Sequence, residues 1–206
     1  MHASAAPELT LYPASKVSMP TLGVAVGVRA VGMGEAFTAA GGDVNSLHWN
    51  PAGLARIGGY ELGFMHNEWS ADLGLRQEYL AYGMAIGQRS GLAASVDYFG
   101  FGNLSTRAAD GALGADSSGS AIASSLGYAT SLMGSGQLKL GVAAEFGQES
   151  LFQTSSSVVA GSAGLLYDVT RAFSLGLSAM HLGTAQGGFS PPSQANAGMA
   201  YSFNER

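Results

Sequence analysis

Asp97, Lys139 and Glu145 are the charged side chains of this chain best placed to do polar chemistry together. Each falls on the face of an extended segment opposite that segment's bulky apolar residues. If those segments form the wall of a barrel, the three line its interior. There they serve as a polar path and contacts to a plug, or as plain ion pairs and solvated charges. The second arrangement is the ordinary one in membrane barrels, whose interiors are polar.

Other chemistry finds little support in the spacing. His48, His66 and His181 stand apart from one another. None forms a His-x-His or His-x-x-x-His pair, so no metal site is expected. Cys is absent, which removes disulfides, thiolate metal sites and a cysteine nucleophile. No Gly-x-Ser-x-Gly elbow joins a strand to a helix, and Ser120 and Ser135 sit beside glycines as turn residues do. Gly32-x-Gly34 lacks the third glycine of a dinucleotide loop, position 37 being Phe, and no βαβ unit follows. The expectation is a chain that is not an enzyme, with no catalytic residue and no cofactor.

The elements that position these residues read as strands. From Tyr60 onward the apolar residues recur with period two. In the cleanest segment Leu138, Leu140, Val142, Ala144 and Phe146 alternate with Lys139, Gly141, Ala143, Glu145 and Gly147, and successive strand side chains point to opposite faces. The same alternation runs through 92–98, 173–179 and 196–203, and more weakly through 60–68, 76–86, 120–130 and 157–169. About eight segments result, each roughly the 9–11 residues that a tilted membrane strand needs. Turns are expected at 87–91, 134–136, 168–171 and 191–193, and longer Ser/Gly/Asp/Asn-rich loops around 101–118 and 148–156. Residues 1–57 lack this alternation beyond Val31. There Asp43 could cap a short helix carrying Val44, Leu47 and Trp49, with Pro51 ending it or starting another turn.

Composition favours a wall in contact with lipid. Charged residues make up 11% of the 206, against about 25% in ordinary soluble domains, and the deficit is filled by small residues, 31 of them Gly. Aromatics such as Tyr60, Tyr98, Tyr128, Phe146, Tyr167, Phe173, Tyr201 and Phe203 lie near segment ends, as in the girdles of membrane barrels. A soluble β-sandwich alternates in the same way, but its outer face usually carries more charge. The net charge of −5, with nine scattered Lys and Arg, argues against nucleic acid as a partner. No apolar run approaches the 20 residues of a spanning helix. The N-terminus lacks the basic and apolar regions of a signal peptide, yet Ala3-Ser4-Ala5 has the small-x-small form of a cleavage site. Two readings stay open: a start further upstream, expected for an exported protein, or an ordinary Ala/Ser-rich tail.

Two stretches carry a family resemblance. Gly32-Met33-Gly34-Glu35-Ala36-Phe37 is followed, after Asp43 and Asn45, by Leu47-His48-Trp49-Asn50-Pro51-Ala52-Gly53-Leu54. With His66, Trp69, Asp72 and Glu78-Tyr79-Leu80-Ala81 downstream, they resemble the PorV/PorQ family of outer-membrane proteins, which is similar to FadL-type transporters. The resemblance implies an antiparallel transmembrane β-barrel in the bacterial outer membrane. Residues 1–57 would be tail and hatch and 58–206 the wall, with Gly32, Met33, Gly34, Phe37, Asn50, Pro51, Ala52 and Gly53 as the hatch motif. It also implies about fourteen strands, whereas eight leave an interior only wide enough for side chains. The expectation is therefore a shortened, incomplete barrel with an open edge; the rival is a small closed barrel with residues 27–57 outside its lumen.

For function, the resemblance implies a role in protein export and surface attachment of the type IX kind, with outer-membrane lipid, secretion-system proteins or exported cargo as partners. The alternatives are FadL-like uptake of a hydrophobic small molecule and a soluble secreted all-β module of adhesin type.

Overall fold

The computed structural model describes residues 17–107, 113–132, 136–151, 154–185 and 189–203. Eight strands form one antiparallel sheet in chain order: β1 (Tyr60–Ser70), β2 (Leu75–Ile86), β3 (Ser90–Arg107), β4 (Leu113–Leu132), β5 (Leu138–Leu151), β6 (Thr154–Asp168), β7 (Phe173–Ala185) and β8 (Gln194–Tyr201). Each strand pairs with the next, as short connections between alternating segments favour. The all-β, antiparallel expectation holds. The sheet is not closed, however: β1 and β8 do not pair. The closed small barrel is thus not formed, and residues 27–57 lie within the curve of the sheet rather than outside it.

Two expected loops are mostly strand. The ladder of β3 and β4 continues through Asn103↔Ser118 and Ser105↔Asp116, and that of β5 and β6 through Gln148↔Ser157 and Ser150↔Ser155. Polar composition read as loop because these strand ends have no apolar face to reveal a period of two, while backbone pairing needs none. The remainder of those connections, 108–112 and 152–153, lies outside the described residues, as do positions 134 and 135 of one expected turn.

Alternation assigns the two faces. Outward residues are bulky and exposed: Phe64 is 68% exposed, Val142 59% and Leu177 55%, whereas the inward Ala81, Ala93 and Ala129 are at most 2% exposed. What buries the inward face is the N-terminal segment. It holds α1 (Val28–Gly32), α2 (Ser46–Trp49) and two 3₁₀ turns, Pro20–Gly23 and Pro51–Arg56. Val26, Val44, Leu47, Leu54 and Ile57 pack on Met65, Tyr79 and the inward alanines of β2 to β5. Met19 and Leu22 pack on Ala121, Ala123, Val158 and Ala160.

The expected helix around residues 44–49 is present but short. Asp43 does not cap it directly; its carboxylate accepts from Asn45 N at 2.9 Å, and its carbonyl accepts the N–H of Ser46. Pro51 begins the second turn, where its missing N–H and fixed φ suit a first helical position.

Inward glycines explain how the segment comes so close. A Cβ at Gly91 would lie 2.0 Å from the Leu54 carbonyl oxygen. One at Gly141 would lie 2.3 Å from Ala52 N, and one at Gly176 2.4 Å from the Thr38 oxygen. The glycine content thus makes a trough into which backbone, not merely side chains, can settle.

Candidate functional site

Asn50 joins the N-terminal segment to the wall. Its Oδ1 accepts from Ala52 N at 3.1 Å, capping the Pro51–Arg56 turn, and its Nδ2 donates to the carbonyls of Thr38 at 2.7 Å and Leu165 of β6 at 3.2 Å. The side chain is fully buried, so each bond replaces one to water. Pro51, Ala52 and Gly53 are buried beside it. At Gly53 a Cβ would meet Ser46 Oγ at 2.6 Å.

The other half of the motif behaves differently. Phe37 is fully buried, with the Arg29 guanidinium 5.1 Å from its ring centroid. Gly34 has φ +63°, the conformation its side-chain freedom allows, but Gly32 has neither positive φ nor a neighbour within 4 Å of a built Cβ. That glycine ends α1 on the exposed side of the segment, next to Met33, which is also exposed.

The three charged residues separate into two sites. Glu145 and Asp97 line one small enclosed cavity of about 20 Å³ between the segment and the wall, together with His48, Tyr79, Ser95 and His181. Glu145 accepts from Ser162 Oγ and, at 2.6 Å, from His181 Nδ1. The His181 backbone N–H donates to Ser162 Oγ at 3.0 Å. His181 owes its inward aim to a bulge between Gly161 and Ala163, where the register shifts, and it has φ +56°. Its Nε2 has no hydrogen-bond partner among the described residues. The His48 ring, carried by α2, faces it at 5.9 Å between centroids. Burial pulls the His48 imidazole down to about 4, with His181 adding to the effect and Glu145 opposing it. Asp97 accepts from Gln77 Nε2 at 3.1 and 3.2 Å.

Lys139 lies elsewhere. It donates to the Gly136 carbonyl at 2.8 Å and to Asp168, whose other oxygen takes Arg56 and Ser174. Arg56 closes the N-terminal segment, so this ion cluster clamps that segment's end to β5, β6 and β7.

His48, His181, Arg56 and Asp168 were not legible as site residues. Their partners are distant in sequence, and the one signal available, an inward-facing polar residue on an alternating strand, marked Asp97, Lys139 and Glu145 alone. Among the described residues no three His, Asp or Glu side chains are gathered as a metal site.

Ser162 Oγ donates a hydrogen bond to the Glu145 carboxylate and meets His181 only through the backbone, so these described residues do not form a Ser-His pair.

The family model of the uncharacterised protein family UPF0164 matches residues 3–148. The chain belongs to UPF0164. No curated protein matches it. In this UPF0164 chain the matched span takes in Asn50, His48, Asp97 and Glu145, while His181 and Asp168 lie beyond it.

Proposed function

We propose that this UPF0164 chain is a non-enzymatic wall-and-hatch protein of a bacterial outer membrane, a transmembrane β-barrel element of PorV/PorQ type. One observation carries the reading: among the described residues the large exposed apolar side chains of the strands face outward, while the inward face, rich in Ala, Gly and Ser, packs beneath the N-terminal segment. Water disfavours such a surface, since exposed apolar patches on soluble monomers rarely exceed a few hundred Å². Hydrocarbon favours it. No described helix is long and apolar enough to cross a membrane, so strands are the elements available.

Within that reading we favour a role in protein export at the cell surface, with the buried segment acting as the hatch. The support is the Gly32–Phe37 and Asn50–Gly53 motif, of which Phe37 and Asn50–Gly53 are buried. Uptake of a greasy small molecule is the weaker reading, because the enclosed cavity beside His48 is about 20 Å³, room for one water rather than an acyl chain, and an open space beside β7 and β8 carries Arg29, Arg56 and Asp168.

The test is reconstitution of the full chain. It should enter lipid vesicles with its strands protected from protease and should fail to stay monomeric in plain buffer. A monodisperse, folded monomer without detergent would overturn the membrane reading.

A further inference from the structure

One groove on the outer face lies at the β1–β2 turn end of the sheet. It measures about 560 Å³ and is lined by Asp72 in the β1–β2 turn, Arg76, Tyr98, Ser118, Ser120 and Ser150. All four strands involved present their outward positions here: Arg76 shares a face with Leu80, Tyr98 with Val96, Ser120 with Ile122 and Ser150 with Phe146, by period-two alternation. The Arg76 stem lies across the strand beside the tyrosine: from the position of a Cβ at Gly100, Arg76 Cγ is 3.4 Å and the Tyr98 ring 3.5 Å away, ordinary van der Waals contact.

Glu68 is the residue opposite Arg76 in the β1–β2 register, but it does not pair with it. Neither Arg76 nor Asp72 takes part in any ion pair among the described residues, although the neighbouring His66 and Glu78 pair with each other at 2.8 Å. A guanidinium flanked by hydroxyls suits a phosphate, which it meets with a planar fork of donors. A carboxylate at the same groove suits a cation. Toward the centre of the sheet the groove gives way to Leu80, Val96 and Ile122, each 44% exposed or more. They form an apolar track that begins at Ile122, about 7 Å along the strands from Arg76, and reaches Leu80 and Val96 at about 13 Å, at the rise of an extended strand.

We propose that this groove binds the headgroup of a zwitterionic phospholipid, the phosphate on Arg76 and the serine hydroxyls, the ammonium on Asp72, and the acyl chains along Leu80, Val96 and Ile122. The inference rests on the membrane reading above. It adds a bound lipid of stated chemistry at a stated place.

The test uses the full chain in maltoside micelles with phosphatidylethanolamine, phosphatidylglycerol or free phosphoethanolamine added. Retained ligand is read by native mass spectrometry. Phosphatidylethanolamine should be held several-fold better than phosphatidylglycerol, and free phosphoethanolamine should not displace it. R76Q should lose about tenfold in retention of both lipids, the worth of one charge-assisted contact, and R76K should recover part of it. D72N should abolish the preference between the two lipids. Equal retention by the parent and R76Q, equal retention of both lipids by the parent, or displacement by free phosphoethanolamine would each overturn the proposal. Vesicle insertion, scored separately by protease protection, tells the two readings apart: a chain that inserts but shows no headgroup preference refutes the groove alone, and a chain that does not insert refutes both.

Discussion

Asn50 shows how much one side chain can hold. It satisfies a turn N–H and two carbonyls in a site without water access. Asn50→Ala removes three hydrogen bonds and strands their partners, which should cost about 3 kcal/mol at roughly 1 per bond, measured by urea unfolding in detergent. Gly164 tests the same contact from the wall. A Cβ there would lie 1.9 Å from Asn50 Oδ1, so Gly164→Ala should cost about 1–3 kcal/mol through overpacking. Adding Asn50→Ala to it should cost less than the two separate losses combined, because the clash disappears with the amide. His48 predicts a pH dependence. Its folded value of about 4 lies below the usual imidazole value, so the unfolded chain takes up the proton first. The stabilisation is complete above about pH 6.5 and drains away as pH falls toward 4. His48→Gln should flatten that part of the stability profile relative to the parent, by up to the order of 3 kcal/mol for a shift of this size. Profiles that superimpose would contradict it. Asn50 was legible in sequence because it sits in a local motif next to proline. His181 was not, since its role depends on a bulge in β6–β7 and on a glutamate two strands away.

At the level of elements, the strands were legible wherever one face was apolar. β5, which alternates without a break, emerges at Leu138–Leu151, three residues beyond the segment that its pattern marked. The outer ends of β3 and β4 were missed because Ser, Gly and Asp carry no such signal. The short helices of the N-terminal segment were only partly legible, because α2 spans one turn and its stability comes from packing on the wall. Leu140 lies on the outward face of β5 and is 40% exposed. If that face meets hydrocarbon, Leu140→Arg should cost about 2–4 kcal/mol in a lipid-based refolding titration. An unchanged stability in lipid would mean that the outward residues of β5 do not meet the bilayer core.

For the whole molecule the decisive fact is a curved sheet with two free edges. Among the described residues β1 and β8 each present backbone N–H and C=O groups that no strand accepts, and in hydrocarbon each such group costs several kcal/mol. The chain should therefore associate through those edges in detergent, sedimenting faster than a single 206-residue chain; a sharp monomer peak would show that the edges are otherwise shielded. Openness was legible from arithmetic alone, since eight strands cannot surround a segment of this bulk. The pairing of Lys139 with Asp168 rather than Glu145 was not, for it depends on register that no local pattern encodes. The trough of glycines has a bearing on descent. At positions 91, 141 and 176 an added methyl group would strike main chain of the N-terminal segment, and no exchange of side chains can trim main chain. Kindred sequences should therefore keep glycine at all three, whereas position 164, which faces the Asn50 amide, is free to change together with residue 50.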